Sequence, residues 1–177
     1  MLDLGAGAGR HVLELQRKGL EVVAVDINRD AIALMRDRGV RDARIGDIDA
    51  AGIEEYDTVL LMMHGIGLVG DLGGLADFLD RVRSRLRPNG QILCDSADLS
   101  VVLPTKWEEF GGLSSPEGRY LGEVTFRLSY GEMEGAPYPW LFVDAQTLAR
   151  FAEAADFSFT VEARGARGSF LARLIRT

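Results

Sequence analysis

The chain reads as an α/β domain with a doubly wound, seven-stranded, mostly parallel sheet, and three observations predict it. Short apolar runs rich in β-branched residues alternate with amphipathic helical stretches. A glycine-rich turn, Gly5-Ala6-Gly7-Ala8-Gly9, stands where the first run passes into the first helix. Three carboxylates, Asp3, Asp26 and Asp47, accompany the first three strand-like runs in order. One domain, residues 1–177, is expected, with 96–143 as an inserted lid or hairpin region.

Leu2-Asp3-Leu4 is the end of a first strand. Glycine at each alternate position after it removes Cβ, so the backbone can turn sharply and approach a ligand closely. The helix that follows, Val12 to Lys18, adds unpaired N–H groups and the positive end of its dipole. An anionic or strongly polar ligand group suits that place. A dinucleotide loop of the form GxGxxG needs a small residue at its sixth position, where Arg10 stands here, and Asp3 would repel a diphosphate.

Glu21 to Asp26 is the second strand, and it closes on a carboxylate whose two acceptor oxygens match a vicinal diol. Asp26 therefore points to an adenosine-type ligand, with helix capping as the bland alternative; Asn28 or Asp30 could cap the next helix equally well. In that helix Ala31, Ile32, Leu34 and Met35 form an apolar face, and Gly39 ends it. Ala43 to Asp47 follows as strand three, where Gly46-Asp47 can equally be a simple turn.

Tyr56 to Met63 is apolar on both faces, as a central parallel strand should be, and ends in His64-Gly65-Ile66-Gly67. Ligands of open α/β sheets sit outside the carboxyl ends of the strands, which puts His64 at the reaction pocket. There a histidine can take a proton or line the pocket with a donor. Leu72, Leu75, Leu79, Val82 and Leu86 recur at helical spacing, Arg87-Pro88-Asn89-Gly90 stops that helix, and Gln91 to Asp95 is strand five.

Residues 96–118 form a connection with Pro104, Gly111, Gly112 and Pro116 around the amphipathic fragment Trp107-Glu108-Glu109-Phe110. Tyr120 to Tyr130 alternates with a period of two, Gly131 to Pro139 is turn-like, and Trp140 to Val143 returns, which makes an antiparallel hairpin. Its aromatic residues can form a lid over a substrate or the hairpin's own small core. Asp144 caps a last helix with the face Leu148, Phe151, Ala152 and Ala155, and Phe157 to Ala163 with Ser169 to Ile175 close the sheet as a hairpin.

A net charge of -7 disfavours a large nucleic-acid footprint and favours a small-molecule partner. The single cysteine, Cys94, excludes a disulfide framework and fits a reducing cytoplasm. No apolar run reaches the roughly 18 to 20 residues of a membrane span, and no signal peptide precedes the glycine loop. With only His11 and His64, no His-rich or zinc-type metal site is expected.

Asp3-Leu4-Gly5-Ala6-Gly7-Ala8-Gly9-Arg10, the acids Asp26 and Asp47, and Leu86-Arg87-Pro88-Asn89-Gly90 before strand five together resemble the class I S-adenosylmethionine-dependent methyltransferases over nearly the whole chain. The resemblance implies a Rossmann-like sheet closed by a seventh strand lying antiparallel between strands five and six. It implies S-adenosyl-L-methionine as cofactor, with Asp3, Gly5, Ala6, Gly7, Gly9 and Arg10 at its methionine end, and Asp26 with Ile27 at the ribose. Asp47 and Ile48 fall at the adenine, two residues from the competing Asp49, and Met63 also falls on the cofactor side. His64 is then the candidate general base, and Tyr130, Tyr138 and Trp140 are acceptor-side candidates for in-line methyl transfer to a small molecule. A non-catalytic module that binds the nucleotide and a partner chain is the alternative, and an NAD-dependent oxidoreductase a weaker one. The family usually carries a helical segment before strand one; a chain starting within that strand is expected to have a more open methionine side, weaker cofactor binding and lower stability.

Overall fold

A computed structural model gives the structure of the protein and describes residues 1–53, 55–101 and 119–177. In chain order the elements are β1 (Leu2–Leu4), α1 (Arg10–Arg17), β2 (Val23–Asp26), α2 (Arg29–Asp37), β3 (Asp42–Ile45), β4 (Tyr56–Leu61), α3 (Leu72–Arg83) and β5 (Leu86–Ala97). Next come β6 (Glu123–Phe126), β7 (Ser129–Tyr130), β8 (Met133–Glu134), β9 (Tyr138–Leu141), α4 (Ala145–Ala154), β10 (Phe157–Arg164) and β11 (Ser169–Arg176). Short 3-10 turns follow β3 (Ile48–Ala51) and β4 (Gly65–Val69).

Seven strands form one sheet in the order β10-β11-β5-β4-β1-β2-β3. β1 pairs in parallel with both β2 and β4, while β11 runs antiparallel between β5 and β10, as the resemblance implies. The strand order therefore reverses around β1, where a crevice opens at the carboxyl ends of the strands. Leu2, Asp3 and Leu4 are all buried, as a strand covered on both faces requires. One layer of core, with Leu61, Leu75, Leu79, Leu148 and Leu174, lies beneath α3 and α4. The other, with Val12, Ile32, Met35 and Val40, lies beneath α1 and α2.

Side-chain caps start three of the helices. Asn28 accepts from Asp30 and Ala31, Asp71 from Gly74, and Asp144 from Gln146 and Thr147. Because Asn28 serves α2, Asp26 is left for other work. Helix α1 has no side-chain cap; Gly9, at φ 76°, starts it directly at Arg10 rather than at Val12.

Two segments differ from the sequence reading. Leu86 does not end α3 but begins β5, opposite Tyr56, and the ladder resumes only at Gln91 opposite Thr58. Arg87-Pro88-Asn89-Gly90 is thus a bulge within a strand. Pro88 lacks the N–H a ladder needs and Asn89 sits at φ 61°, both at home in a bulge. The expected single strand Tyr120 to Tyr130 is also divided: β6 pairs with β9, and a separate ribbon of β7 and β8 forms the tip. The fragment Trp107 to Phe110, with Pro104, Gly111, Gly112 and Pro116, lies outside the described residues. Among the described residues no helix is long and apolar enough to cross a membrane.

Candidate functional site

The glycine loop is built onto the end of β2. The N–H groups of Gly5 and Ala6 both donate to the Val25 carbonyl, at 2.9 and 3.1 Å, and the three loop glycines have φ of 71°, 54° and 76°. Those positive values demand glycine, but the three positions serve different ends. A Cβ on Gly9 would press on Met35 and Val40 at 2.9 Å, so this glycine lets the loop pack on α2. A Cβ on Gly7 would meet nothing within 4 Å, so the loop's backbone is open to a ligand there.

Asp26 fixes that geometry. One carboxylate oxygen accepts the Gly7 N–H and the other the Asn28 N–H, both at 2.8 Å. Each oxygen keeps a lone pair, so the group can still accept two hydroxyl protons while holding the loop. Behind the loop Asp3 is buried with its Oδ2 unpartnered among the described residues. Burial, and secondarily the negative charge of Asp26, push the Asp3 carboxyl up to about 7. Such a group awaits a hydrogen-bond donor or a cation.

A cleft of about 390 Å³ opens beside these residues at the carboxyl ends of β1, β2 and β3. On the sheet side its wall includes Gly5, Asp26, Ile27, Asp47 and Ile48; on the other it includes Leu68 and, from α3, Asp77, Phe78 and Arg81. Asp49 is not on this wall; it faces Arg81 at 2.9 Å and Arg85 at 3.8 Å. Arg81 also reaches Asp47, at 3.8 Å, and so ties the turn after β3 to α3 across the cleft. The contribution of α3 was missed in the sequence, where Asp77 and Arg81 read as polar positions of an ordinary covering helix. Their one-turn spacing was visible, but only the tertiary fold places that flank over the ends of β1 to β3.

The remaining candidates lie around this cleft rather than on its wall. Arg10 is exposed at the start of α1, and Ala6 belongs to the loop. Met63 and His64 form a left-handed pair at φ 62° and 60° immediately after β4. His64 donates its backbone N–H to Asp95 Oδ2 at 3.0 Å, and its ring meets Phe142 edge-on at 5.7 Å between centroids. Trp140 packs its indole onto Gly67, and with Phe126, Tyr138 and Phe142 it forms an aromatic cluster over Leu99 and Val124. These rings are the hairpin's own core and clamp the turn after β4. Tyr130 stands apart, 81% exposed on the β7–β8 ribbon.

The arrangement can hold an elongated, partly polar ligand. Asp26 suits a sugar diol, Ile48 and Phe78 offer apolar surface to a flat ring, and the open Gly7 backbone with the orphaned Asp3 oxygen suits a polar tail. These features fit S-adenosylmethionine.

Comparison with known proteins agrees with this fold and with that cofactor. The family model described as "Methyltransferase domain" matches residues 1–90. The chain is similar to the crystal structure of a SAM-dependent methyltransferase from Bacteroides fragilis in complex with S-adenosyl-L-homocysteine, with a TM-score of 0.84 and 36% identity, covering 99% of this chain and 72% of that one. Among curated proteins it resembles the hemagglutinin 1 of Eikenella corrodens, 32% identical over 58% of this chain and 37% of that protein. It also resembles the magnesium-protoporphyrin O-methyltransferase of Rhodobacter capsulatus, 34% identical over 35% of this chain and 30% of that protein. The matched stretches thus span about a third of each curated relative.

Proposed function

Because this chain belongs to the methyltransferase-domain family, we propose that it is a methyltransferase that binds S-adenosyl-L-methionine in the cleft beside β1, β2 and β3 and passes the methyl group to a small-molecule acceptor. The observation that carries this reading is Asp26. Among the described residues it is the one carboxylate that both fastens the open glycine loop and faces the cleft with acceptor capacity to spare.

In this reading Asp26, with Ile27 beside it, holds the ribose hydroxyls, and charge-assisted bonds of this kind are worth about 1.5–3 kcal/mol each. Asp47 and Ile48 meet the adenine, with Phe78 on the opposite wall. Asp3, Gly5, Ala6, Gly7, Gly9, Arg10 and Met63 surround the methionine end, where an ammonium group would satisfy the unpartnered Asp3 oxygen. The cofactor supplies an electrophilic methyl group on a sulfonium, so the chain's task is to align the acceptor in line and keep water out. His64, with Trp140 and Tyr138 in the cluster beyond it, forms the acceptor side; Tyr130, exposed on the β7–β8 ribbon, is left outside this assignment. The net charge of -7 supports a small acceptor over a nucleic acid, and the single buried thiol of Cys94, pushed up to about 12 by burial, suits a cytoplasmic protein.

A thermal-shift series with S-adenosylmethionine, S-adenosylhomocysteine and NAD tests the assignment. At a hundredfold excess over the dissociation constant a ligand adds about 2.7 kcal/mol, roughly 5–10 °C in a domain of this size. Only the two sulfur nucleosides should give that rise; a shift with NAD alone would overturn the reading.

A further inference from the structure

The turn after β4 carries a group that methyl-donor binding leaves unexplained. Met63 and His64 are consecutive non-glycine residues in the left-handed region, a conformation that costs free energy at each and persists only when its surroundings impose it. Asp95, thirty-one residues further on and near the end of the adjacent strand β5, fastens this turn at His64. Its Oδ2 accepts the His64 backbone N–H at 3.0 Å and lies 3.7 Å from the His64 Nδ1. His64 Nδ1 and Asp95 Oδ1 are both buried and, among the described residues, without a hydrogen-bond partner. The ring as a whole is 41% exposed, so the nitrogen that faces outward is Nε2. Phe142 meets the ring at its edge and limits its swing.

The geometry points to a His64–Asp95 dyad in which Asp95 is a positioning residue: it draws the proton to Nδ1 and leaves the Nε2 lone pair free, as a base, for an acceptor whose nucleophilic atom carries a proton. Beside a carboxylate, which only accepts, the imidazole nitrogen on that side gains by carrying hydrogen, and the tautomer is thereby set. The dyad's chemical step rests on the methyltransferase reading. The acceptor's proton passes to Nε2 as its nucleophilic atom bonds the methyl carbon, and the pair of the broken carbon–sulfur bond stays on sulfur. Such a base matters most for a hydroxyl, which is a weak nucleophile until its proton is shared.

The tautomer can be read without any acceptor. Long-range proton–nitrogen correlation spectra of the free protein in alkaline buffer need to resolve only two histidines, and His64→Gln assigns them. The dyad requires the Nδ1–H form at His64 in the native chain. In Asp95→Leu no acceptor faces Nδ1, so the Nε2–H form should gain while S-adenosylhomocysteine affinity in calorimetry stays within about twofold. An Nε2–H tautomer in the native chain, or an unchanged tautomer in Asp95→Leu, would overturn the dyad; if Asp95→Leu does not fold, the native spectrum decides alone. Absence of S-adenosylhomocysteine binding to the native chain would instead count against the methyltransferase reading, whatever the tautomer.

Discussion

Asp26 and Asp3 are two carboxylates 23 residues apart with opposite tasks. Asp26 keeps two backbone N–H groups in place and faces the cleft, so Asp26→Ala should lower S-adenosylhomocysteine affinity by at least roughly 10- to 100-fold in calorimetry, the loss expected for one charge-assisted bond. An unchanged affinity would remove it from the site. Asp3 should reveal itself through stability. Its folded carboxyl titrates near 7 against 3.8 when free, so between those values the folded state holds the extra proton and stability falls as pH rises. The full difference is ~4 kcal/mol above neutrality. Asp3→Asn should therefore flatten the fall in melting temperature between about pH 4 and 7, and raise it at pH 8; a parallel pH profile would show that Asp3 is not buried as a charge. Both acids were legible in the sequence because each stands at or next to a strand end in a fixed relation to the glycines. Asp95 was not. It closes an apolar run as Asp26 does, but its partner His64 lies on another strand, and only the parallel pairing of β4 with β5 brings them together.

At the scale of elements, charge joins the two walls of the cleft, and aromatic packing joins the hairpin to the turn after β4. Arg81 bridges Asp47 and Asp49 across the opening with exposed partners, and such pairs add at most about 1 kcal/mol. Arg81→Ala should thus leave the melting temperature nearly unchanged, while loosening Asp47 weakens S-adenosylhomocysteine binding a few-fold, more at low than at high salt. The hairpin is a firmer attachment. A methyl group on Gly67 would fall inside the Trp140 indole, so Gly67→Ala should cost about 1–3 kcal/mol and appear as a lower unfolding midpoint in denaturant. Most elements could be read directly, since strand runs, caps and the period of α3 are local signals. The bulge at Arg87 to Gly90 could not, because Pro-Asn-Gly ends a helix and bulges a strand by the same chemistry, and the choice depends on Leu86 finding Tyr56. The role of α3 in the cleft was hidden for the same reason: Asp77, Phe78 and Arg81 acquire it from the position of the helix, not from its sequence.

For the whole molecule, the strand order with its reversal around β1 makes the crevice, and every residue proposed on the cofactor side depends on that reversal. The seven-stranded sheet, its antiparallel closing strand and the added hairpin were all foreshadowed by the order of motifs along the chain. The docking of the hairpin aromatics on the turn after β4, rather than over the cleft, was set by long-range packing of Trp140 on Gly67. A crystal structure of the protein with S-adenosylhomocysteine tests the central claim most directly. The account predicts ribose hydroxyls about 3 Å from the Asp26 carboxylate, adenine between Ile48 and Phe78, and the amino end approaching Asp3. A nucleoside bound elsewhere, or a cleft left empty with Asp26 bonded only to Gly7 and Asn28, would contradict it.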